Sequence, residues 1–585
     1  MLIGGAQALT FAMLAKRLYD LQILQFGHYS KLARRNALVE RLLAPKRGII
    51  TDRSGIPLAD DHQRWRALLM PVDWASAPIA VARVERLLSL SAANRARLMK
   101  IVHGPRQYVP IVLKDNLPWD EAARLEVNKP DLPGVIVDRS FIRHYPLGAG
   151  TAHTVGYVAP PSAAQIKSNP VLGLPGMRVG GAGIEYAHNK ALFGKPGLIE
   201  SEVNDQGAVV RVLDHMAGQP GGTVTLSLDS GLQRHAANVL RNRPGALVLV
   251  DTQQGAIRAM VSAPSFDPSY FDNGVPNDVW SRWVNDPRHP LLDRSTQGLY
   301  APGSSFKPTV ALAGLGAGAI SAKTKFFCPG HMKIGDRTFY CWLRSGHGWM
   351  DTVSALQQSC DVFFYHVALR AGIDKMAAMG ARLGLTGVPA LDFPALAPGF
   401  LPTRRWARKR GIRWTQGHTA IQGIGQGYTL LTPLNLAIMT ARLATGRAIS
   451  PYLAEAVGQR RAVHPQAGSL GLNPAHLALV RQGMDDVVNT PLGTSWGARL
   501  ELPGIRMAGK TGTAQVVNDS VEREEASRNH SDLPWKYRPN ALFVGYAPLK
   551  NPRFAVAAVI EHGTLLDPVA AARDVFARAF EDMKA

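Results

Sequence analysis

The chain has 585 residues, of which 46% are hydrophobic, 19% charged and 7% aromatic, and its 66 basic and 44 acidic residues leave a formal net charge of +22. That length and composition allow roughly two to four domains with a sizeable core, and they exclude a disulfide-stapled miniprotein, a disordered chain and a multi-span membrane protein. The excess of base suits an anionic polymer or membrane surface, but no zinc-finger spacing, RNP-like motif or helix-turn-helix signal points to DNA or RNA, so nucleic acid is not expected as a partner.

Residues 1–15, MLIGGAQALTFAMLA, carry no charge and are followed by Lys16 and Arg17. As a helix rising about 1.5 Å per residue they reach about 22 Å, short of the roughly 30 Å hydrocarbon core of a bilayer. The run has no polar face at the helical period, so the alternatives are a start that lies upstream, a helix that continues through LYDLQILQF, or a signal-peptide core; the first is favoured, and residues 1–25 read as a transmembrane anchor clipped at its N-terminal end. Residues 30–45 read as a basic helix or extended neck, and APKRGIITDRSGIPLAD (44–60) as strand and hairpin. Helical patterns fill 75–130, strands PGVIVDRSFIRHYPLG (133–148) and HTVGYV (153–158) follow, and GAGIEYAHNKALFGKPG (181–197) reads as a short helix ended by glycines. With strands over 198–228, residues 26–228 form an elongated mixed pedestal of the dimerisation type.

Beyond Asp229 the texture changes. SGLQRHAANVLRN (230–242) has a helical period, and ALVLVD (246–251) and AIRAMVSAP (256–264) flank a hairpin at Thr252 to Gly255. GIRMAGKTGTAQVV (504–517), ALFVGYAP (541–548) and RFAVAAVIEHG (553–563) are strand-like. The pattern predicts an α+β domain over 229–585 with one five-stranded antiparallel sheet, split two and three by a helical insertion and covered by helices that include 569–585. The charged stretch 518–539 reads as a mobile hairpin loop.

Three short motifs carry chemistry. Ser304 and Lys307 lie in YAPGSSFKPTVALAGLGAGA (300–319), where Pro308 confines the helix start to the vicinity of Ser304 and places Lys307 one turn on. An amine kept neutral by burial can take the proton of a serine hydroxyl, as attack on a carbonyl requires. Ser359-Cys360-Asp361 opens the helical segment VFFYHVALRAG (362–372). Lys510, Thr511, Gly512 and Thr513 sit within a strand, where a glycine weakens pairing unless another backbone approaches closely. That suggests a strand edge offered to an extended ligand, with Lys510 and the two threonine hydroxyls holding a carboxylate.

All three cysteines, Cys328, Cys341 and Cys360, fall within 33 residues, and His347 between them completes Cys-x12-Cys-x5-His-x12-Cys. Cys3His is a closed tetrahedral set for one structural Zn2+ ion; a disulfide is the competing reading, but it would strand the third thiol.

The order Ser-x-x-Lys, Ser-x-Asp, Lys-Thr-Gly, together with APKRGIITDRSGIPLAD, GAGIEYAHNKALFGKPG, HPLLDRSTQGLYAPGSSFKP (289–308), GIGQGYTLLTPL (423–434) and AGKTGTAQV (508–516), resembles the class B penicillin-binding proteins, most nearly their penicillin-binding protein 2 branch. The resemblance covers essentially the whole chain. It implies a single-pass inner-membrane protein, mostly periplasmic, that cross-links peptidoglycan stem peptides during elongation, with a possible D,D-carboxypeptidase side activity. It implies Ser304 as the nucleophile acylated by substrate and by β-lactam antibiotics, Lys307 as its base, and Ser359 and Lys510 as proton relays. The backbone of Ser304 and Thr513 would form the oxyanion hole, with Thr511 and Thr513 on the substrate carboxylate. The family's usual middle motif ends in Asn; Asp361 departs from it as the penicillin-binding protein 2 branch often does. Some members of that branch carry a metal at the positions of the Cys3His cluster. The implied partners are a glycosyltransferase of the shape, elongation, division and sporulation (SEDS) type and other elongation-complex proteins. A division-type relative is the nearest alternative. A β-lactam sensor would need several spans and a His-Glu-x-x-His motif, neither of which is found, and the pedestal and anchor argue against a free β-lactamase.

Overall fold

In a computed structural model, residues 2–27, 38–70, 76–104, 110–203, 209–241, 243–515 and 534–583 are described. Part of the expected neck and most of the expected 518–539 loop lie outside them. Helix α1 (Leu2–Tyr19) has 18 residues and leaves Leu9, Phe11, Met13, Leu14 and Leu18 exposed. Among the described residues no helix is long and apolar enough to cross a membrane.

The N-terminal region is built on strands β1 (Leu38–Leu43), β2 (Pro57–Leu69), β3 (Ile111–Leu117), β4 (Val135–His144), β5 (Gly197–Val203) and β6 (Val209–Met216). Strands β1, β5 and β6 form one antiparallel sheet, and β2 pairs antiparallel with both β3 and β4. The helices Ala77–Leu87, Ala92–Val102 and Trp119–Val127 pack apolar residues over β2 and β3, burying Val81, Val84, Leu98, Leu113 and Leu125. The segments APKRG and GIEYAHN meet in a buried ion cluster: Glu185 accepts from Arg47 Nε at 2.7 Å and from Arg143 Nε at 2.7 Å, and Arg143 also reaches Asp61 at 2.8 Å. Burial pushes the Glu185 carboxyl up, but Arg143 and Arg47 together hold it below the usual carboxylate range. Removing one member would strand a buried charge, which is why this cluster fixes the fold here.

In the C-terminal region, helix α2 (Ser230–Leu240) precedes β7 (Gly245–Asp251) and β8 (Ile257–Ala263). A long insertion follows with α3 (Lys307–Gly316), α4 (Asp361–Ala371), α5 (Pro433–Thr445) and α6 (Pro474–Asn489), and the chain returns through β9 (Ala508–Ala514), β10 (Asn540–Ala547), β11 (Phe554–Ile560) and α7 (Asp567–Asp582). The sheet is antiparallel throughout, in the order β8-β7-β11-β10-β9, so β9 is an edge strand. Strands β7, β8 and β11 are buried on both faces. Their near-continuous apolar runs require cover on each side: α2 and α7 pack one face, and the insertion helices, including the almost entirely buried α5, pack the other.

The two regions share a sheet. Ala454–Val457, from the insertion, pairs with Val224–Leu226, which in turn pairs with Ile50–Thr51 beside β2. Nothing in the sequence pattern between residues 446 and 462 pointed to that crossing.

Candidate functional site

Gly303–Phe306 form a 3-10 turn that runs directly into α3, with Pro308 in the first helical turn where its missing N–H costs nothing. Ser304 stands half-buried on this turn. The turn lies against β9 so closely that each side needs a glycine. A Cβ at Gly512 would lie 2.6 Å from Pro302 O, and one at Gly303, whose φ is +53°, would lie 2.4 Å from Thr513 O. The close backbone approach expected at Gly512 is therefore made by the serine turn itself rather than by a ligand, and the glycine sets the distance between Ser304 and the strand. The turn is braced from behind: Gly303 N donates to Gly425 O at 3.0 Å, and Gln426 Nε2 donates to Thr513 O at 2.8 Å.

Lys307 is fully buried, and its Nζ donates to Ser359 O at 2.8 Å, Ser359 Oγ at 3.1 Å and Asp361 Oδ1 at 2.6 Å. These bonds join the first motif to the second, whereas the sequence placed this amine beside the Ser304 hydroxyl. Ser359 adopts φ +55°, a left-handed backbone that serine rarely takes, and this turns its carbonyl and hydroxyl together onto Lys307. Burial pushes the Asp361 carboxyl above its usual range against the opposing pull of Lys307. The second oxygen of Asp361 accepts from Trp342 N at 2.9 Å.

On β9, Lys510 is fully buried, and its amine is held well below the ordinary lysine range, first by burial and then by repulsion from Lys307. The pair of lysines thus favours one neutral amine in the site. Because the folded value lies below the unfolded one, the unfolded chain holds the extra proton between the two, and stability must rise with pH across that alkaline window. Urea unfolding between neutral pH and about pH 10 is expected to show this rise, and Lys510→Met to flatten it while raising stability at neutral pH. Thr511 is buried and shares a hydrogen bond with Thr494 Oγ1 at 2.8 Å, so the carboxylate role expected of its hydroxyl requires Thr494 to be the donor in that bond. Thr513 is the more exposed of the two threonines.

The Cys3His set assembles beside this site. The four donor atoms of Cys328, Cys341, His347 and Cys360 lie within 4.8 Å of one another, with His347 Nδ1 at 3.4 Å from Cys341 Sγ and 3.7 Å from Cys328 Sγ. A tetrahedral zinc site has S···N edges of about 3.5 Å and S···S edges of about 3.8 Å, from bonds of about 2.0 and 2.3 Å. The three cysteines are free, with no disulfide among them. Hydrogen bonding from Cys360 above all draws Cys341 down to about 3 and Cys328 down to about 6, while the same bonds push Cys360 up. Ready thiolates of this kind are what a metal needs. Asp361 N donates to Cys341 Sγ at 3.3 Å, so the cluster and the second motif share a bond.

The residues named from sequence thus come together, and sequence reading missed three that brace them: Trp342, Gln426 and Thr494. Gln426 lay inside a recognised segment without a role, and Thr494 in PLGTSWG gave no signal at all.

A serine on a helix-leading turn, a buried lysine bridging a Ser-x-Asp motif and a Lys-Thr-Gly edge strand define an acyl-serine enzyme of the penicillin-recognising class. Residues 245–581 match the penicillin binding protein transpeptidase domain and residues 42–226 the penicillin-binding protein dimerisation domain. The peptidoglycan D,D-transpeptidase MrdA of Escherichia coli K12 is 33% identical over 576 residues, covering 96% of this chain and 90% of that one. A complex between penicillin-binding protein 2 and MreC from Helicobacter pylori aligns with a TM-score of 0.80 at 26% identity, over 94% of this chain and 99% of that one. A structure of a peptidoglycan synthase complex, described as coordinating polymerisation and crosslinking, aligns with a TM-score of 0.72 at 28% identity, over 98% of this chain and 97% of that one. The chain belongs to the class B penicillin-binding proteins, of the penicillin-binding protein 2 type.

Proposed function

We propose that the protein is an elongation-type peptidoglycan D,D-transpeptidase that works through an acyl-serine. The observation that carries the reading is the docking of the Ser304 turn on β9 through Gly303 and Gly512, with Lys307 buried against Ser359 and Asp361. Ser304 Oγ attacks the penultimate D-alanine carbonyl of a stem peptide as its proton passes to Lys307, whose ammonium first yields a proton to Asp361 across their 2.6 Å bond. The N–H groups of Ser304 and Thr513 stabilise the oxyanion, and the terminal D-alanine leaves with a proton relayed through Ser359 and Lys510. An acceptor amine then attacks the acyl-serine, forms the cross-link and frees Ser304. β-Lactams enter by the same first step and remain as the adduct. The test is incubation with a donor stem peptide and an acceptor amine. A cross-linked product together with released D-alanine supports the reading, and penicillin acylation without any cross-link would leave only a hydrolase or sensor.

Geometry at Ser304 is set by a glycine, so a single methyl group should disturb it. Gly512→Ala is expected to slow penicillin acylation about 100-fold, the cost typical of displacing a reacting atom by about 1 Å, as read from the second-order rate of adduct formation.

One Zn2+ ion held by Cys328, Cys341, His347 and Cys360 would be structural: it would fix the backbone of Cys360 and so the aim of Ser359 and Asp361. Attachment to the inner membrane by the first 25 residues, with the rest periplasmic, is supported by the uncharged run before Lys16 and the exposed apolar side chains of α1. A SEDS-type glycosyltransferase and an MreC-like elongation protein are the partners most consistent with the assemblies of its structural relatives.

A further inference from the structure

Asp60, His62 and His144 lie on the pedestal, apart from every residue given a role above. Successive side chains of a strand alternate between faces, so Asp60 and His62 share one face of β2, and the antiparallel register sets His144 of β4 directly opposite Asp60. One carboxylate consequently serves two imidazoles. Asp60 Oδ1 lies 2.9 Å from His144 Nδ1 and Oδ2 lies 3.6 Å from His62 Nε2, and the two rings stack with centroids 4.0 Å apart and planes 23° apart. The three donor atoms all fall within 4.8 Å of one another. A simple His–Asp pair needs one imidazole; here a second is laid parallel to it, with its own nitrogen turned to the other oxygen. Both histidines are about half exposed, which leaves the remaining coordination positions open to water.

We infer that Asp60, His62 and His144 form a second cation site, selective for a borderline divalent transition metal such as Zn2+, Ni2+ or Cu2+. Two imidazole nitrogens and one carboxylate oxygen are the donor set these ions prefer over Ca2+ and Mg2+. Arg64, exposed two residues beyond His62 on the same face of the strand, adds a like charge that weakens cation binding. On the opposite face of the same strand pair, Asp61 and Arg143 belong to the buried ion cluster. An ion would therefore clip β2 to β4 back to back with that cluster and strengthen the pedestal.

The test uses the full-length protein given one equivalent of zinc, which the thiolate set takes first, and titrated with Ni2+ by calorimetry. One added equivalent is expected, weakened at least about tenfold in His62→Asn and in His144→Asn, while penicillin acylation stays unchanged. Ni2+ should also raise the melting temperature of the wild type but not of those variants. No added equivalent in the wild type overturns the inference, as does an equivalent that persists in both histidine variants. An equivalent lost instead in Cys341→Ser belongs to the thiolate set and overturns it too.

Discussion

Replacing Ser304 by alanine is expected to abolish the penicillin adduct seen by intact-mass spectrometry and to lower the acylation rate by about 10⁴-fold or more, the scale found when a catalytic serine is removed from a preorganised site. The variant should keep its melting temperature. Ser304 is half-buried on a turn whose position is set by Gly303, Gly512 and the bond from Gly303 N to Gly425 O, against a strand held by the Gln426–Thr513 bond, none of which involves its hydroxyl. Lysine removal is a poorer test. Lys307→Ala would leave Asp361 buried without its 2.6 Å partner, and breaking a buried pair from one side costs about 3–5 kcal/mol, so lost activity and lost fold could not be separated. A full-yield adduct on Ser304→Ala, mapped to another residue, would overturn the assignment of the nucleophile.

Cys341→Ser is expected to lower penicillin acylation about 10- to 100-fold and the melting temperature by roughly 5 °C, as loss of a metal ligand beside a site usually does. The coupling has a visible path. Cys341 is buried, its sulfur accepts from Asp361 N, and the next residue, Trp342, donates its own N–H to Asp361 Oδ2. Moving Cys341 therefore moves the carboxylate that holds Lys307. Cys328→Ser is the contrasting variant: its sulfur bonds Cys360 and lies 3.7 Å from His347 Nδ1 but makes no bond to Asp361, so it should lower the melting temperature comparably with a smaller loss of rate. Chelation of the wild type should reproduce the Cys341 phenotype, and a zinc-free preparation with full activity and unchanged melting would refute the structural role of the metal.

Much of the chemistry could be read from residue order because each motif carries a local backbone rule. Pro308 fixes a helix start, Gly512 in a strand signals a close approach, and a cysteine cluster with one histidine signals a closed donor set. Which groups those rules bring together is not local. The sequence put Lys307 beside Ser304 because they share a helical turn, yet its three bonds end on Ser359 and Asp361, more than 50 residues away. Likewise Gly512 was assigned to a ligand's approach and is filled by the Ser304 turn.

By itself the sequence determined the five strands of the C-terminal sheet, their division around a helical insertion, the order of the motifs and the family they belong to, since periodicity, capping and turn chemistry act over a few residues at a time; the strand Ile111–Leu117 fell within a stretch it marked as helical. Only the tertiary structure decided the rest: β9 at the sheet edge, the strand Ala454–Val457 crossing into the pedestal sheet, Thr511 turned onto Thr494, and His62 stacked on His144. Those outcomes depend on which distant surfaces are buried against one another and on strand register, where a shift of one residue sends every side chain to the opposite face.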